Sequence, residues 1–297
     1  MNAITRPVIV APGIYDMPAA AYHADPADTP SLSAGMITDL LNAPARCRHN
    51  SQRLNPDWEE PEAEEKFSLG TVAHILFLEP HLFNERVSVI GADSWRGADA
   101  KARRDAARAA GKTPILEKHS VAVWGARKAF FANEFTAKAF SDGLFEQSMF
   151  WRHPAYGFWC RARPDFLAET GRHLCDYKAT KDANPERFGK HAYSMGYHRR
   201  AAWYLDGAAI LLGKEPDHYW FCNQETDAPH LTAVCELDLS ALEAGRAENE
   251  RACAVFDRCL RTGEWPGYRH RADPSRDLAF QVGLPVWAYQ QLEQRNV

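Results

Sequence analysis

The order of elements read along the 297-residue chain predicts an α/β fold. Three stretches carry that expectation. A helical, apolar run from Lys66 to Leu78 stops before Pro80. Two aromatic-rich segments, Phe158 to Leu167 and His173 to Thr180, flank the polar, glycine-containing Glu169-Thr170-Gly171-Arg172 and read as a hairpin. A helical region after Asn184 is then followed by two further strands, Tyr219 to Gln224 and Leu231 to Leu237.

Composition sets the outer limits. Hydrophobic residues at 45% and charged residues at 25% are ordinary for a globular protein with a substantial core. The net charge of −4 gives no global basic field, so any nucleic-acid contact must rest on a local groove. The N-terminal MNAITRPVIVAPGIYD lacks the apolar core of a signal peptide, and no apolar run approaches the roughly 18 residues that span a bilayer. A cytoplasmic protein without a membrane association is expected. Seven scattered cysteines without a C-x-x-C pair argue against a zinc ribbon or a disulfide framework.

Taken in order, residues 11–35 are loop-like, broken by Pro12-Gly13, Asp25-Pro26 and Thr29-Pro30. Ser33 is placed to cap a helix from Ala34 to Asn42 that Pro44 ends. Glu59 to Glu65 reads as a solvated acidic loop. In the next helix Gly70 and His74 lie one turn apart on one face. A lone histidine on an apolar helix is more often a packed core residue than a ligand. Asp93 to Lys112 is alanine-rich and basic, either a solvated helix face or a strip that grips phosphates. A helix from about Ser120 to Phe140 carries Trp124, Phe130, Phe131 and Phe135 as a core-facing stripe. QSMF, between Glu146 and Trp151, reads as a strand. Asn184 and Pro185 begin a helix that breaks near Ser194 to Gly196 and continues to Leu212. A charged helix spans about Ser240 to Arg261, and the tail from Trp265 carries no identifiable chemistry.

The hairpin holds the chemistry. With the turn centred on Thr170-Gly171, Asp165 lies opposite Asp176, and Lys178 points to the same face as Asp176. Like charges directly opposite are destabilising, so two converging carboxylates suggest a hard divalent cation between them. A lysine beside it could hold a nucleophilic water or stabilise charge on a phosphate. On spacing alone, a surface hairpin with a weak Asp176–Lys178 pair fits equally well. Arg161 and Arg163 alternate with Asp165 along one face and could meet phosphate oxygens or simply balance the carboxylates.

Pro164-Asp165, ten residues, then Asp176-Tyr177-Lys178 resembles the PD-(D/E)xK signature of the restriction-endonuclease-like nucleases. The surrounding residues sharpen this to the RecE-like exonucleases, the type of exodeoxyribonuclease VIII. GIYDMPAAAYHADPADTPSLSAGMITDLLNAPAR is similar to their opening "G-x-Y…YH…LS". Gly70, His74, Glu79 and Pro80 match "G-x-x-x-H…EP", and Glu146, Ser148 and Trp151 match "E-x-S-x-x-W". Gly196, Tyr197 and Tyr204 match "G-Y-x-x-Q-x-x-x-Y", with Arg200 where glutamine is expected.

The resemblance implies a restriction-endonuclease-like core, a central mixed sheet flanked by helices, with a helical N-terminal region. The chain is then one nuclease domain over 1–297, with an N-terminal region 1–65, a core 66–262 and a tail 263–297. It implies hydrolysis of linear double-stranded DNA from 5′ to 3′, leaving 3′ tails for recombination. His74, Asp165, Asp176 and the Tyr177 carbonyl would hold Mg²⁺, with Mn²⁺ compatible, and Lys178 would orient the attacking water. Glu146 supports the ligands or the structure in preference to ligating directly. Tyr197, Arg200 and Tyr204 would meet DNA, although both tyrosines fit equally as packing aromatics. Partners implied are DNA ends, further copies of the chain, and a RecT-like single-strand annealing protein. Some RecB-like relatives carry an iron–sulfur cluster on four cysteines; here only Cys253 and Cys259 lie close together. Another nuclease of the superfamily, a DNA-binding phage protein with a decayed site, and an unrelated phosphoesterase remain alternatives, the second kept open by Arg200.

Overall fold

A computed structural model describes residues 8–59, 68–268, 280 and 282–295. Its strands are β1 (Gly13–Tyr15), β2 (Ser31–Ser33), β3 (Val87–Ile90), β4 (Thr113–Leu116), β5 (Gly143–Phe145) and β6 (Ser148–Arg152). They continue as β7 (Trp159–Ala162), β8 (Phe166–Ala168), β9 (His173–Thr180), β10 (His218–Glu225) and β11 (Thr232–Glu236). The helices are α1 (Ala19–His23), α2 (Ala34–Asn42), α3 (Pro44–Asn50), α4 (Ser68–Leu78), α5 (Phe83–Arg86) and α6 (Ala98–Ala109). After them come α7 (Glu117–Ala132), α8 (Glu134–Ala139), α9 (Pro185–Met195), α10 (Tyr197–Leu212), α11 (Leu239–Thr262) and α12 (Val286–Arg295).

The architecture is mixed α/β, as expected. One sheet has the order β11-β10-β9-β8-β5, with β9 and β10 parallel and the other neighbours antiparallel. A second has the order β1-β6-β7-β2, in which β2 and β7 are parallel. A small pair, β3 and β4, lies apart. The expected hairpin register holds: Phe166 faces Cys175 and Leu167 faces Leu174. Gly171 supplies the left-handed residue of its turn, at φ +68°.

One expected strand is two. Phe158 to Leu167 breaks after Ala162, so β7 belongs to the second sheet and β8 to the first. Pro164 stands in the break and offers no N–H to a ladder. The region 11–35, expected as loop, supplies β1, α1 and β2, the two strands forming both edges of the second sheet. Ser33 precedes α2 without a side-chain capping bond. The helix expected over 120–140 is divided at Asn133, whose side chain caps α8 by accepting from the Phe135 and Thr136 amides. Of its aromatic stripe Phe130 is fully buried, whereas Trp124 and Phe135 are exposed.

Other boundaries are as read. Asn184 caps α9 by accepting from the Glu186 N–H at 2.9 Å, and Gly196, at φ +69°, separates α9 from α10. The acidic run and the start of the 66–78 helix fall largely outside the described residues. Two apolar clusters hold the sheets. One packs α2, α10 and α11 on the second sheet and on β9–β10, around Trp151, Trp203, Phe221 and Phe256. The other packs α4 and α7 on the opposite side of β8–β10, around Leu76, Phe77, Phe130 and Tyr177. No helix among the described residues is long and apolar enough to cross a membrane. All seven cysteines are buried free thiols.

Candidate metal centre

Two chain segments pass from one sheet to the other at the same place. β5 gives way to β6 through Glu146-Gln147, and β7 to β8 through Arg163-Pro164-Asp165. The Glu146 N–H donates to the Asp165 carbonyl at 3.1 Å, tying the crossovers together. Glu146 takes a positive φ of 55°, a conformation that costs a side-chain-bearing residue energy and needs surrounding structure to hold it. Released from the alternation of a strand, Glu146 and Asp165 turn their carboxylates toward one point.

His74 reaches that point from α4. One turn on, Phe77 stacks on the Tyr177 ring with centroids 4.1 Å apart, fixing this helix face against β9. His74 Nε2 lies 3.2 Å from Asp165 Oδ1 and 3.6 Å from Glu146 Oε1. The other Asp165 oxygen, Oδ2, accepts the Tyr177 N–H at 2.6 Å. Burial opposes a charge on His74, but the Asp165 carboxylate, by charge and hydrogen bond, and then Glu146 lift its pKa to about 9. Burial likewise works against the Asp165 anion, yet His74, Lys178 and the Tyr177 N–H hold its carboxyl below the usual range. Glu146 is pushed up, first by burial and then by the Asp165 charge, against the pull of His74 and Arg163.

Asp176 sits on the regular strand β9, 3% exposed, and meets two cations. Lys178 Nζ contacts Oδ2, and Arg200 Nη1 is 3.9 Å from Oδ1. Both cations lie against one aromatic ring: Lys178 Nζ is 5.5 Å and Arg200 Cζ 5.7 Å from the Tyr197 centroid. Burial disfavours the Arg200 cation, and the Asp176 charge more than restores it.

The remaining candidates divide by exposure. Arg161 is buried and pairs with Asp25 at 3.0 Å while donating to the Ser31 carbonyl. Arg163 donates to Glu146 Oε2, to Ser148 Oγ, both at 2.6 Å, and to the Met17 carbonyl. The expected alternation with Asp165 along one face fails because the strand ends between them. Both arginines are internal braces that balance carboxylates, so they are not free to grip a phosphate. Tyr197 and Tyr204 are buried packing aromatics, and Tyr197 also carries the two cations. Asp25, absent from the sequence reading of the site, is 2% exposed and joins the N-terminal region to Arg161. Its only sequence signal was its place before Pro26. Glu79 is held by Arg86 at 2.8 Å, a scaffold pair. Of the basic segment, Arg103 approaches Asp99, and Lys112 donates to the Asn84 carbonyl.

Among the described residues, the ligand atoms of His74, Glu146 and Asp165 lie within 4.8 Å of one another. Glu146 is thus inside the cluster it was expected only to support, and Asp176 stands beside that cluster. A buried carboxylate oxygen without a partner is costly, and Glu146 Oε1 has no hydrogen-bond partner. One imidazole nitrogen and two carboxylate oxygens, the unpartnered Glu146 Oε1 among them, fit a divalent cation of the Mg²⁺ or Mn²⁺ kind.

Comparison with known proteins agrees with this geometry. The sequence profile of a family described as a PDDEXK-like domain of unknown function (DUF3799) matches residues 33–277. Among solved structures, a candidate exonuclease from Eubacterium rectale is similar, with a TM-score of 0.57 at 11% sequence identity. The alignment covers 93% of this chain and 98% of that one, a likeness of fold. No curated protein sequence matches.

Proposed function

The chain belongs to the PDDEXK-like family whose profile it matches, and from that premise we propose that it is a metal-dependent DNA exonuclease. It hydrolyses linear double-stranded DNA from 5′ to 3′ and leaves 3′ single strands for recombination. The observation that carries the reading is the meeting of His74, Glu146 and Asp165 beside the Asp176–Lys178 pair, where two sheets exchange strands. The family match and the fold of the structural relative support a nuclease; polarity and substrate rest on the RecE-like motifs.

His74 Nε2, Glu146 Oε1 and Asp165 Oδ1 would hold the cation, with the Tyr177 carbonyl a further candidate on β9 and Asp176 beside them, held by Lys178 and Arg200. A bound divalent ion supplies Lewis acidity and lowers the pKa of water. The protein's own residues do the rest. Asp176 fixes Lys178, whose ammonium orients the attacking water and meets the charge developing on the phosphate. Arg200, half-buried and over Tyr197, offers a planar donor pair to a second phosphate oxygen. Asp165, locked by the Tyr177 N–H, keeps the His74 ring aimed inward. The same reading makes the chain one cytoplasmic nuclease unit that acts on duplex ends as a homo-oligomer, alongside a RecT-like annealing protein.

The test uses linear duplex DNA labelled at one end at a time, with Mg²⁺ or Mn²⁺, and a closed circle as competitor. Wild-type protein should release the 5′ label and spare the circle, and Asp176→Ala and Lys178→Ala should both abolish release. Cleavage of the circle would replace the exonuclease by an endonuclease. Absence of cleavage with either ion would end the catalytic reading.

A further inference from the structure

The cation demand of the centre is lopsided. On the His74 side three ligand atoms converge, and the ion-pair partner of Glu146 Oε1 is the titratable His74 ring, 3.6 Å away, which can give up its charge to a metal. On the β9 side, both oxygens of Asp176 already face a cation, Lys178 at Oδ2 and Arg200 Nη1 at Oδ1, 3.9 Å away. These cations are seated rather than dangling. Both rest against the Tyr197 ring, and the Arg200 amide is bonded into the first turn of α10 through the Gly196 carbonyl at 3.2 Å.

Resting on the metal-nuclease reading, we infer that Arg200 occupies the place of a second cation, so that the centre takes one divalent ion, on the His74–Glu146–Asp165 side. A divalent ion on Asp176 would sit about 2 Å from its oxygen. It would then lie within a few ångströms of two fixed positive groups in a poorly screened interior, where like charges repel strongly. Arg200 thus neutralises Asp176 permanently, as a second ion would do transiently. Its side chain, 35% exposed, keeps a donor face that a phosphodiester can reach. Arg200 is a positioning residue for Asp176 and Lys178 and a phosphate ligand in the same pose.

The experiment counts metal. Mn²⁺ alone is titrated into the full chain, its stoichiometry read by calorimetry, and the spin–spin coupling of neighbouring ions by electron paramagnetic resonance. The variants are Arg200→Gln, which removes the charge, and Arg200→Lys, which keeps it; far-ultraviolet circular dichroism checks that each is folded. The expected result is one uncoupled Mn²⁺ per chain in wild type and Arg200→Lys, and two coupled ions in Arg200→Gln. Two coupled ions in the wild type, or one in Arg200→Gln, would overturn the inference and leave the nuclease reading standing. No Mn²⁺ in any of the three would overturn both.

Discussion

The crossover that carries Asp165 and the strand that carries Asp176 bring two carboxylates to one place by different means. Asp165 follows Pro164 in a segment without ladder bonds, and its two oxygens are claimed by the Tyr177 N–H and by His74. Asp176 stands in the alternation of β9, and its oxygens are claimed by cations. The first carboxylate is held by neutral and titratable donors that a metal can share or replace. The second is held by charges that cannot leave. Irregular backbone therefore built the part of the centre open to a metal, and regular strand built the part that is charge-balanced in advance.

The largest effect should come from breaking the crossover. Asp165→Ala removes the His74 partner and strands a buried N–H, so nuclease turnover should fall by about 10²–10³-fold or more. Chemical denaturation should show a loss of about 1–3 kcal/mol. A variant that keeps wild-type turnover would remove Asp165 from the centre. Glu146→Ala should lower turnover as well, by removing one of the three ligand atoms, and should also cost stability, because the buried Arg163 would lose its carboxylate and keep only Ser148 and the Met17 carbonyl. A cost of about 3–5 kcal/mol is expected, and clearly less for Glu146→Gln, which keeps an acceptor. Equal costs for the two would show that the Arg163 pair is not what holds the bend.

The next effect is one of pH. A His74 pKa lifted to about 9 stabilises the metal-free fold fully below the unfolded value near 6.5. That contribution is lost as pH rises through about 9. The melting temperature of metal-free protein should fall across this window in wild type and stay level in His74→Ala. Mn²⁺ must displace the same proton, so its affinity should rise over the same interval, with proton release seen by calorimetry in buffers of different ionisation enthalpy. The smallest effect is a control outside both regions. Arg172 pairs with Asp217 at 2.7 Å on the surface, and Arg172→Ala should leave both the melting temperature and turnover essentially unchanged.

Local chemistry and strand periodicity were readable one residue at a time. Gly171 in its turn, Asn184 with Pro185 before α9, Gly196 between helices and the pairing of β8 with β9 follow from backbone preferences that act over a few residues. The carboxylate pair Asp165 and Asp176 was visible for the same reason, because hairpin register converts spacing into opposition. The partition of 158–167 between two sheets was not visible. Pro164 marked a weak point, but which sheet each half joins depends on β1, β2 and β6, distant in sequence.

By itself, then, the sequence determined the α/β class, most element boundaries and the residue types of the centre, since each rests on short-range sterics and side-chain alternation. Tertiary structure alone decided which carboxylate completes the cluster and which arginines remain available. Glu146 enters because two crossovers share a hydrogen bond, and Arg161 and Arg163 turn inward because buried Asp25 and Glu146 need counter-charges. Desolvation sets that choice: a carboxylate taken out of water draws in the nearest cation, and only the folded chain defines which cation is nearest.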